Sequence, residues 1–136
     1  MRYMLLIYTR EDAMARISPE EKQQLMNGHF AVMQETRSSG VLEAGEPLAR
    51  TTTATTVRLQ NGAPIVTDGP FAETKEQLAG YYILDCKDLD EAIGWAAKIP
   101  TGCGGQQGCI EIRLLPGIPT ADKEPQLAQS SAARNG

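Results

Sequence analysis

One carboxylate in the sequence stands where a turn would direct it into a cleft. Asp68 precedes Gly69-Pro70, a pair that ends a strand and turns the chain sharply. A carboxylate in this position can act as a general base towards a small molecule. The same side chain can also cap the turn by accepting hydrogen bonds from backbone N–H groups, and the two roles are compatible. We therefore predict Asp68 as the first catalytic candidate.

The second candidate is His29, the single histidine of the chain. An imidazole with a pKa of about 6.5 can carry protons at neutral pH. Leu25 and Met33 lie four residues to either side, so on a helix the three side chains share one face. This pattern is typical of a histidine at the edge of a core or in a cleft. The two interpretations are a structural residue and a proton shuttle.

A further set of polar residues indicates substrate binding. Arg58 and Arg113 alternate with apolar neighbours, so each can bind a carboxylate bidentately or form a structural salt bridge. Lys75 and Glu73 share one polar segment, which indicates either an anion-binding lysine or a solvated ion pair. Tyr82 lies in an apolar run that lines a core or a cleft. Arg58 or Lys75 would anchor an anionic substrate.

A metal centre is not expected. One histidine rules out a multi-histidine site, and the spacing of Cys103 and Cys109 is not that of a zinc knuckle. Cys86 makes the cysteine count odd, and the N-terminus lacks the cleavage site of a secretion signal. These features indicate free thiols in a reducing compartment. We expect a cytoplasmic protein without metal or cofactor.

Length and charge narrow the class of protein. The chain has 136 residues, about one domain, which is enough to bury a hydrophobic core. The net charge is -4 and acids and bases are interleaved, so the chain lacks the basic stripe of nucleic-acid-binding proteins. No apolar run approaches the roughly 18 residues that a membrane span needs. We predict a globular protein that binds neither nucleic acid nor membrane.

Two helices are predicted to position the candidate residues. The first covers 18–39, because Ser18 and Glu21 form a capping box and Gly40 can end the helix. The second begins at Asp88 and stops before Pro100. The apolar spacing places the following residues on the core faces of these helices: Leu25, Met26, Phe30 and Met33 on the first, and Leu89, Ile93, Ala96 and Ala97 on the second.

Apolar runs and turn residues predict six strands. Asn61-Gly62 is the strongest hairpin signal in the chain. Pro47 indicates the end of a strand or a sheet edge. The predicted strands cover 3–8, 41–48, 55–59, 63–67, 79–85 and 109–115.

Without the hairpin, the order is strand, helix, strand, strand, helix, strand. This is the ferredoxin-like split βαβ pattern of an α+β fold. Its helices cover one face of the sheet, so we expect a homodimer to cover the other. The alternative is a monomer whose open face is covered by the hairpin or the tail. Residues 1–116 form the domain, and 117–136 are predicted to be a poorly ordered tail.

The segment 68–82 closely resembles the signature of the DGPF branch of the YCII-related proteins. It reads Asp-Gly-Pro-Phe-Ala-Glu-Thr-Lys-Glu-Gln-Leu-Ala-Gly-Tyr-Tyr. The resemblance covers 1–115 and implies a dimeric α/β barrel of ferredoxin-like subunits. Shorter pieces that agree with that branch are 3–8, 54–58, 90–93 and 111–113.

The resemblance implies less about function. In the wider YCII group a His–Asp pair in a cleft has been proposed as the active site, which in this chain indicates His29 and Asp68. One member type is a dehydrochlorinase. We therefore expect a cofactor-free enzyme that abstracts a proton from a small anionic molecule or eliminates a group from it, with Asp68 as the base. The alternative is a non-catalytic ligand-binding or regulatory module associated with an extracytoplasmic-function sigma factor.

Overall fold

The computed structural model describes residues 1–102 and 108–118. Cys103 and most of the predicted tail lie outside the described residues. Within them the chain forms, in order, β1 (Arg2–Thr9), α1 (Glu11–Met14), α2 (Pro19–Ser38), β2 (Leu42–Pro47), a 3-10 turn (Thr51–Thr53), β3 (Thr55–Gln60), β4 (Ala63–Asp68), β5 (Gln77–Asp85), α3 (Leu89–Ala96) and β6 (Gly108–Leu115).

Four strands form an antiparallel sheet in the order β2-β5-β1-β6. The central strands are therefore β1 and β5, and the hairpin β3–β4 forms a sheet of its own. This α+β arrangement is consistent with the predicted ferredoxin-like order. The dimeric barrel stays a prediction.

The hydrophobic core lies between the helices and one face of this sheet. Along β1, Tyr3, Leu5 and Ile7 are buried, while the residues between them are half-buried. Leu5 is fully buried, and its truncation to Ala would cost about 2–5 kcal/mol of unfolding free energy. On the helix side this core is completed by Val32, Thr36, Ala92 and Ile99.

The start of α2 is as the sequence predicts. The Glu21 N–H donates to the Ser18 hydroxyl over 3.1 Å, and the Ser18 N–H donates to the Glu21 carboxylate over 3.1 Å. Each half of this capping box satisfies a donor that the first helical turn leaves unpaired. The chain turns after α2 at Gly40, whose φ is 76°.

The predicted core face of α2 is wrong in part. Met26 and Phe30 are exposed by 44% and 62%, whereas Val32 and Thr36 are buried. Apolar spacing predicted that Met26 and Phe30 face the core, but both residues border a cavity between the helix and the sheet. The buried positions of the helix are instead Val32 and Thr36, and the predicted Met33 packs against the core beside them. Thr36 can be buried because its hydroxyl donates to the carbonyl of Val32 at 2.8 Å.

The second helix also differs from the prediction. It ends at Ala96. After it, the N–H groups of Lys98 and Ile99 donate hydrogen bonds to the carbonyls three residues earlier, which form tight turns. Leu89 and Ile93 are exposed, Ala92 is fully buried, and the predicted Ala96 packs against the core. Within the described residues, none of the helices is both long and apolar enough to cross a bilayer.

The hairpin follows the prediction, but the segments at its base were not predicted. Asn61 and Gly62 both have positive φ, which the tight turn requires. At the base, the Glu11 carboxylate accepts hydrogen bonds from the Thr51 N–H at 2.8 Å and the Thr51 hydroxyl at 2.7 Å. The Glu11 N–H in turn donates to the side chain of Gln77 at 2.9 Å. Glu11 therefore ties the hairpin base to the start of β5.

Candidate functional site

A cavity of about 400 Å³ lies between α2 and the side of the sheet formed by the edge strand β2 and its neighbour β5. Such a volume is within the usual range for small-molecule sites. The part contributed by α2 includes His29 and is otherwise apolar. The lining residues are Ile7, Thr9, Met14, Leu25, Met26, His29, Phe30, Met33, Gly45, Glu46, Pro47, Ala79, Gly80, Tyr81 and Tyr82.

His29 and Tyr82 meet in this cavity. The His29 Nδ1 lies 3.3 Å from the Tyr82 hydroxyl oxygen, and the two rings are inclined by 26° with centroids 6.5 Å apart. The donor of this contact depends on the tautomer of the imidazole. The hydroxyl donates to an unprotonated Nδ1, and a protonated Nδ1 donates to the hydroxyl oxygen. The contact therefore couples the protonation of His29 to Tyr82.

Two glycines make this arrangement possible. A Cβ on Gly45 would lie 2.7 Å from Cδ1 of Tyr82, so the strand glycine leaves room for the ring. A Cβ on Gly28 would lie 3.0 Å from Cγ of Pro100, so α2 approaches the loop after α3 closely next to His29. Glycine in a helix interior costs roughly 1 kcal/mol, and this close approach explains its presence at Gly28.

Burial changes the protonation of both rings. It lowers the pKa of His29 below its usual value, because an imidazolium loses solvation in an apolar site. It raises the pKa of Tyr82 for the same reason, since the phenolate is the charged form. At neutral pH the pair is therefore uncharged, with one proton available on the phenol and one on the imidazole.

Charged side chains are scarce around the cavity. Among the described residues that line it, Glu46 is the one that carries a formal charge at neutral pH. Glu46 pairs with Tyr81 in the β2–β5 register, and Gly45 pairs with Tyr82. Successive residues of a strand face opposite sides, so the Glu46 side chain lies on the face away from the Tyr82 ring. Glu46 therefore contributes main chain to the lining.

The chain is similar in sequence to known proteins over most of its length. The family model of the YCII-related domain matches residues 1–115. The chain belongs to the YCII-related family. It is also 40% identical, over 115 residues, to an uncharacterized protein of Rhizobium meliloti (strain 1021), covering 85% of this chain and 92% of that protein. The narrower DGPF branch stays a prediction.

In this YCII-related chain, Asp68 lies outside the His29 cavity. It ends β4, is exposed, and pairs with Thr55 across the hairpin. The turn that follows is held by the Gly69 N–H donating to the Ala54 carbonyl at 2.7 Å and the Thr56 hydroxyl donating to the Gly69 carbonyl at 2.8 Å. Within the described residues the Asp68 carboxylate accepts no hydrogen bond. The capping role considered for Asp68 is therefore filled by backbone and Thr56.

The predicted binding residues do not lie together. Tyr82 lines the cavity with His29. Arg58 is exposed on β3, and Arg113 is exposed on β6. Lys75 lines a separate open cleft of about 620 Å³, and Glu73 is exposed in the loop before it. The structure thus brings together His29 and Tyr82 and leaves the predicted anion anchors outside their cavity.

The separate cleft contains the thiol of Cys109. Its Sγ lies 3.5 Å from the Glu76 carboxylate, and the Tyr8 hydroxyl donates to Glu111 at 3.4 Å. Burial, the bond to Glu76 and the charge of Glu111 all raise the pKa of this thiol. Within the described residues, no three His, Cys, Asp or Glu side chains converge as metal ligands.

Several lining residues were missed by the sequence analysis as parts of a site. Gly45 lies inside the predicted strand 41–48, and Thr9 directly follows the predicted strand 3–8, but neither was predicted to line a site. Met26 and Phe30 were assigned to the core. The available signal was the glycine in a predicted strand, which often marks a close approach of another group.

Proposed function

We propose that this YCII-related chain is a small enzyme that needs no cofactor and transfers a proton to or from a small organic molecule bound beside His29. The observation that carries the proposal is the 3.3 Å contact between His29 Nδ1 and the Tyr82 hydroxyl inside a mostly apolar cavity. A partly buried histidine with a phenol partner is unusual in a lining that is otherwise apolar. Such groups are the ones that acid–base catalysis requires.

The tautomer determines how the pair works. When Nδ1 is protonated, it donates to the Tyr82 oxygen and leaves Nε2 of His29 free to accept a proton. The Tyr82 contact then orients the ring, as a hydrogen-bond acceptor at Nδ1 does in other catalytic histidines. Because burial lowers the pKa of His29, the ring is unprotonated at Nε2 at neutral pH and can act as a base.

The reaction step can be written for a substrate with a carbonyl group. Nε2 of His29 takes the proton from the carbon next to the carbonyl, and the C–H electron pair becomes the double bond of an enolate. The carbonyl electrons move to oxygen, where the Tyr82 O–H can donate a hydrogen bond. The protonated Nε2 then returns a proton to the same carbon or to a conjugated carbon, or the enolate expels a leaving group with its bonding electron pair from the neighbouring carbon and the proton on Nε2 passes to solvent. The first outcome is isomerisation or exchange, and the second is elimination.

Asp68 remains a second candidate for the base. Its exposed carboxylate lies on the hairpin, outside the cavity lining. Arg58 lies on the same hairpin and is predicted to anchor an anionic substrate. Chemistry at that place would use the hairpin surface and would be independent of His29. Substitution of either His29 or Asp68 alone distinguishes the two arrangements.

Exchange of carbon-bound hydrogen tests the proposal. The probe is 2-tetralone in D₂O, with deuteration next to the carbonyl followed by NMR. We expect the protein to accelerate deuteration and His29→Gln to slow the catalysed rate by about 10²-fold or more. Glu20→Gln, an exposed change on the same helix, is the control. Unchanged exchange in His29→Gln contradicts the proposal, and loss of exchange only in Asp68→Asn moves the base to Asp68.

We also propose that the chain is a homodimer. The sheet face away from the helices carries Met4, Leu6, Tyr81 and Ile83, which are neighbours in the register and half-buried in a single subunit. A second sheet would remove this apolar surface from water. Light scattering on the full chain should give a dimer mass, and Leu6→Glu should give monomers. A wild-type monomer mass at micromolar concentration contradicts this proposal.

One observation favours the alternative function, a binding or regulatory module. The hairpin β3–β4 has one apolar face, on which Val57 pairs with Val66 and Leu59 pairs with Pro64. All four side chains are exposed in this subunit. A two-stranded hairpin is only marginally stable alone, so a partner surface would stabilise it. The double variant Leu59→Lys, Val66→Lys should then abolish binding to an extracytoplasmic-function sigma factor, while His29→Gln should not.

A further inference from the structure

The chemistry of the His29 cavity identifies the class of molecule that it binds. We propose that the cavity binds a neutral molecule with an aromatic or alicyclic body and a single hydrogen-bonding oxygen, such as a phenol or a ketone. The proposal rests on the proposed function and specifies its substrate class. It departs from the anionic substrate that Arg58 and Lys75 suggested.

Within the described residues, the cavity lining offers no positive charge to a ligand. No lysine or arginine belongs to the described residues that line the cavity, and Glu46 directs its side chain to the other face of β2. A carboxylate moved from water into such a site loses hydration without gaining a charged partner, which is costly. The burial that lowers the pKa of His29 also removes the imidazolium as a counter-ion at neutral pH.

The walls of the cavity are mostly apolar, and its volume suits a ring system. Phe30 and Met26 border the cavity and are partly exposed, while Leu25, Met33 and Ile7 provide apolar walls. Aromatic and thioether groups make favourable contacts with aromatic rings. A volume of about 400 Å³ accommodates a molecule of one or two rings.

The lining has few polar groups. Besides main chain, its hydrogen-bonding groups within the described residues are His29, Thr9 and the Tyr82 hydroxyl, since Tyr81 lies on the face of the sheet away from the helices. Tyr82 and Thr9 are 4% and 8% exposed. The Tyr82 hydroxyl already contacts His29. Such a set satisfies one oxygen of a ligand, and further polar groups would be buried without partners. The ligand is therefore apolar apart from the group that reaches His29.

Three naphthalene probes of matched size test this proposal. They are 2-naphthol, which is neutral at pH 7, 2-naphthoate, which is anionic, and 2-naphthylmethylamine, which is cationic. We expect 2-naphthol to bind the full chain at least about tenfold more tightly than either ion, because only the ions must lose a charged hydration shell. Titration calorimetry gives the affinities, and the NMR signals of the single histidine report contact with the site.

A pair of lysine variants makes the test sharper. Met26→Lys places a cation at the border of the cavity and should raise the affinity for 2-naphthoate by about tenfold through charge pairing. Gln24→Lys adds the same charge to an exposed position of α2 outside the lining, and it should leave the affinity order unchanged. Equal effects of the two variants would show that the preference reflects net charge and would overturn the proposal.

The outcomes separate this inference from the proposed function. Tighter binding of 2-naphthoate or of the amine, with a shifted His29 signal, overturns the neutral class and leaves proton transfer by His29 intact. The expected affinity order without any change at His29 supports a neutral apolar ligand but contradicts the role of His29. Failure of all three probes to bind overturns the inference, and the exchange assay then decides the proposed function independently.

Discussion

The ring of Tyr82 occupies the space that a side chain on Gly45 would need. The two residues are direct partners in the β2–β5 register. A Cβ on Gly45 would lie 2.7 Å from Cδ1 and 3.1 Å from Cε1 of the ring, closer than such atoms normally approach. The hydroxyl of the same ring contacts His29 on α2. A strand glycine thus sets the position of the ring that links the sheet to the candidate catalytic histidine.

Replacement of Gly45 should therefore disturb both stability and the site. We expect Gly45→Ala to lower the free energy of unfolding by about 1–3 kcal/mol, because the methyl group overpacks against Tyr82. Urea denaturation measures the loss, and weaker binding of 2-naphthol should accompany it. Gly94→Ala is the control, since a Cβ there meets nothing within 4 Å and should stabilise α3 by up to about 1 kcal/mol. A Gly45→Ala protein as stable as wild type would contradict this account.

The lowered pKa of His29 should make stability depend on pH. In the unfolded chain the histidine takes up a proton as the pH falls through about 6.5, whereas in the folded chain it does so only at lower pH. The unfolded state therefore binds more protons in this window, and the free energy of unfolding falls as the pH decreases. Below the folded pKa the loss becomes constant. Above about pH 6.5 His29 contributes no pH dependence.

The variant His29→Gln isolates this contribution. Carboxylates also titrate at low pH, so the measured quantity is the difference between the wild-type and variant stability curves. We expect that difference to be flat above pH 6.5 and to fall below it. NMR titration of the single histidine gives the folded pKa directly. A folded pKa at or above the usual value would contradict the burial of the ring.

Local chemistry explains why parts of the fold were predictable. The capping box at Ser18 and Glu21 and the turn at Asn61-Gly62 involve residues within a few positions of each other. Their geometry depends only on residues that are close in sequence, so residue type and spacing determine it. The observed strand order is consistent with the predicted element order, and the connection rules leave few topologies that satisfy it.

The candidate site was predictable only as separate residues. The contact between His29 and Tyr82 spans 53 positions of sequence and depends on how α2 crosses the sheet. Apolar spacing could not show that Met26 and Phe30 border a cavity, because a cavity face and a core face have the same periodicity. The position of Asp68 on an exposed hairpin likewise depends on packing, which local sequence does not specify.

The hydrogen bonds of Glu11 should hold the base of the hairpin. Glu11→Ala leaves the N–H and hydroxyl of Thr51 without the carboxylate that accepts both. We expect the free energy of unfolding, or of local opening at the hairpin base, to fall by about 1.5–3 kcal/mol. Hydrogen exchange of the Thr51 amide measures it. Asp12→Ala is the matched control on the same helix, since its pairs with Arg10 and Arg16 are exposed and screened by solvent, and it should leave the exchange of the Thr51 amide unchanged.

The thiol of Cys109 should react slowly although it is exposed. The largest cause that raises the pKa of the thiol is its partial burial. The hydrogen bond to Glu76 and the negative charges of Glu76 and Glu111 raise the pKa further, so little thiolate exists at pH 7. Removal of the charge in Glu76→Gln should speed alkylation by iodoacetamide several-fold, as peptide mass spectrometry would detect. Glu43→Gln, an exposed change on β2, should leave the rate unchanged. If Glu76→Gln reacted no faster, the carboxylate would not control the thiol.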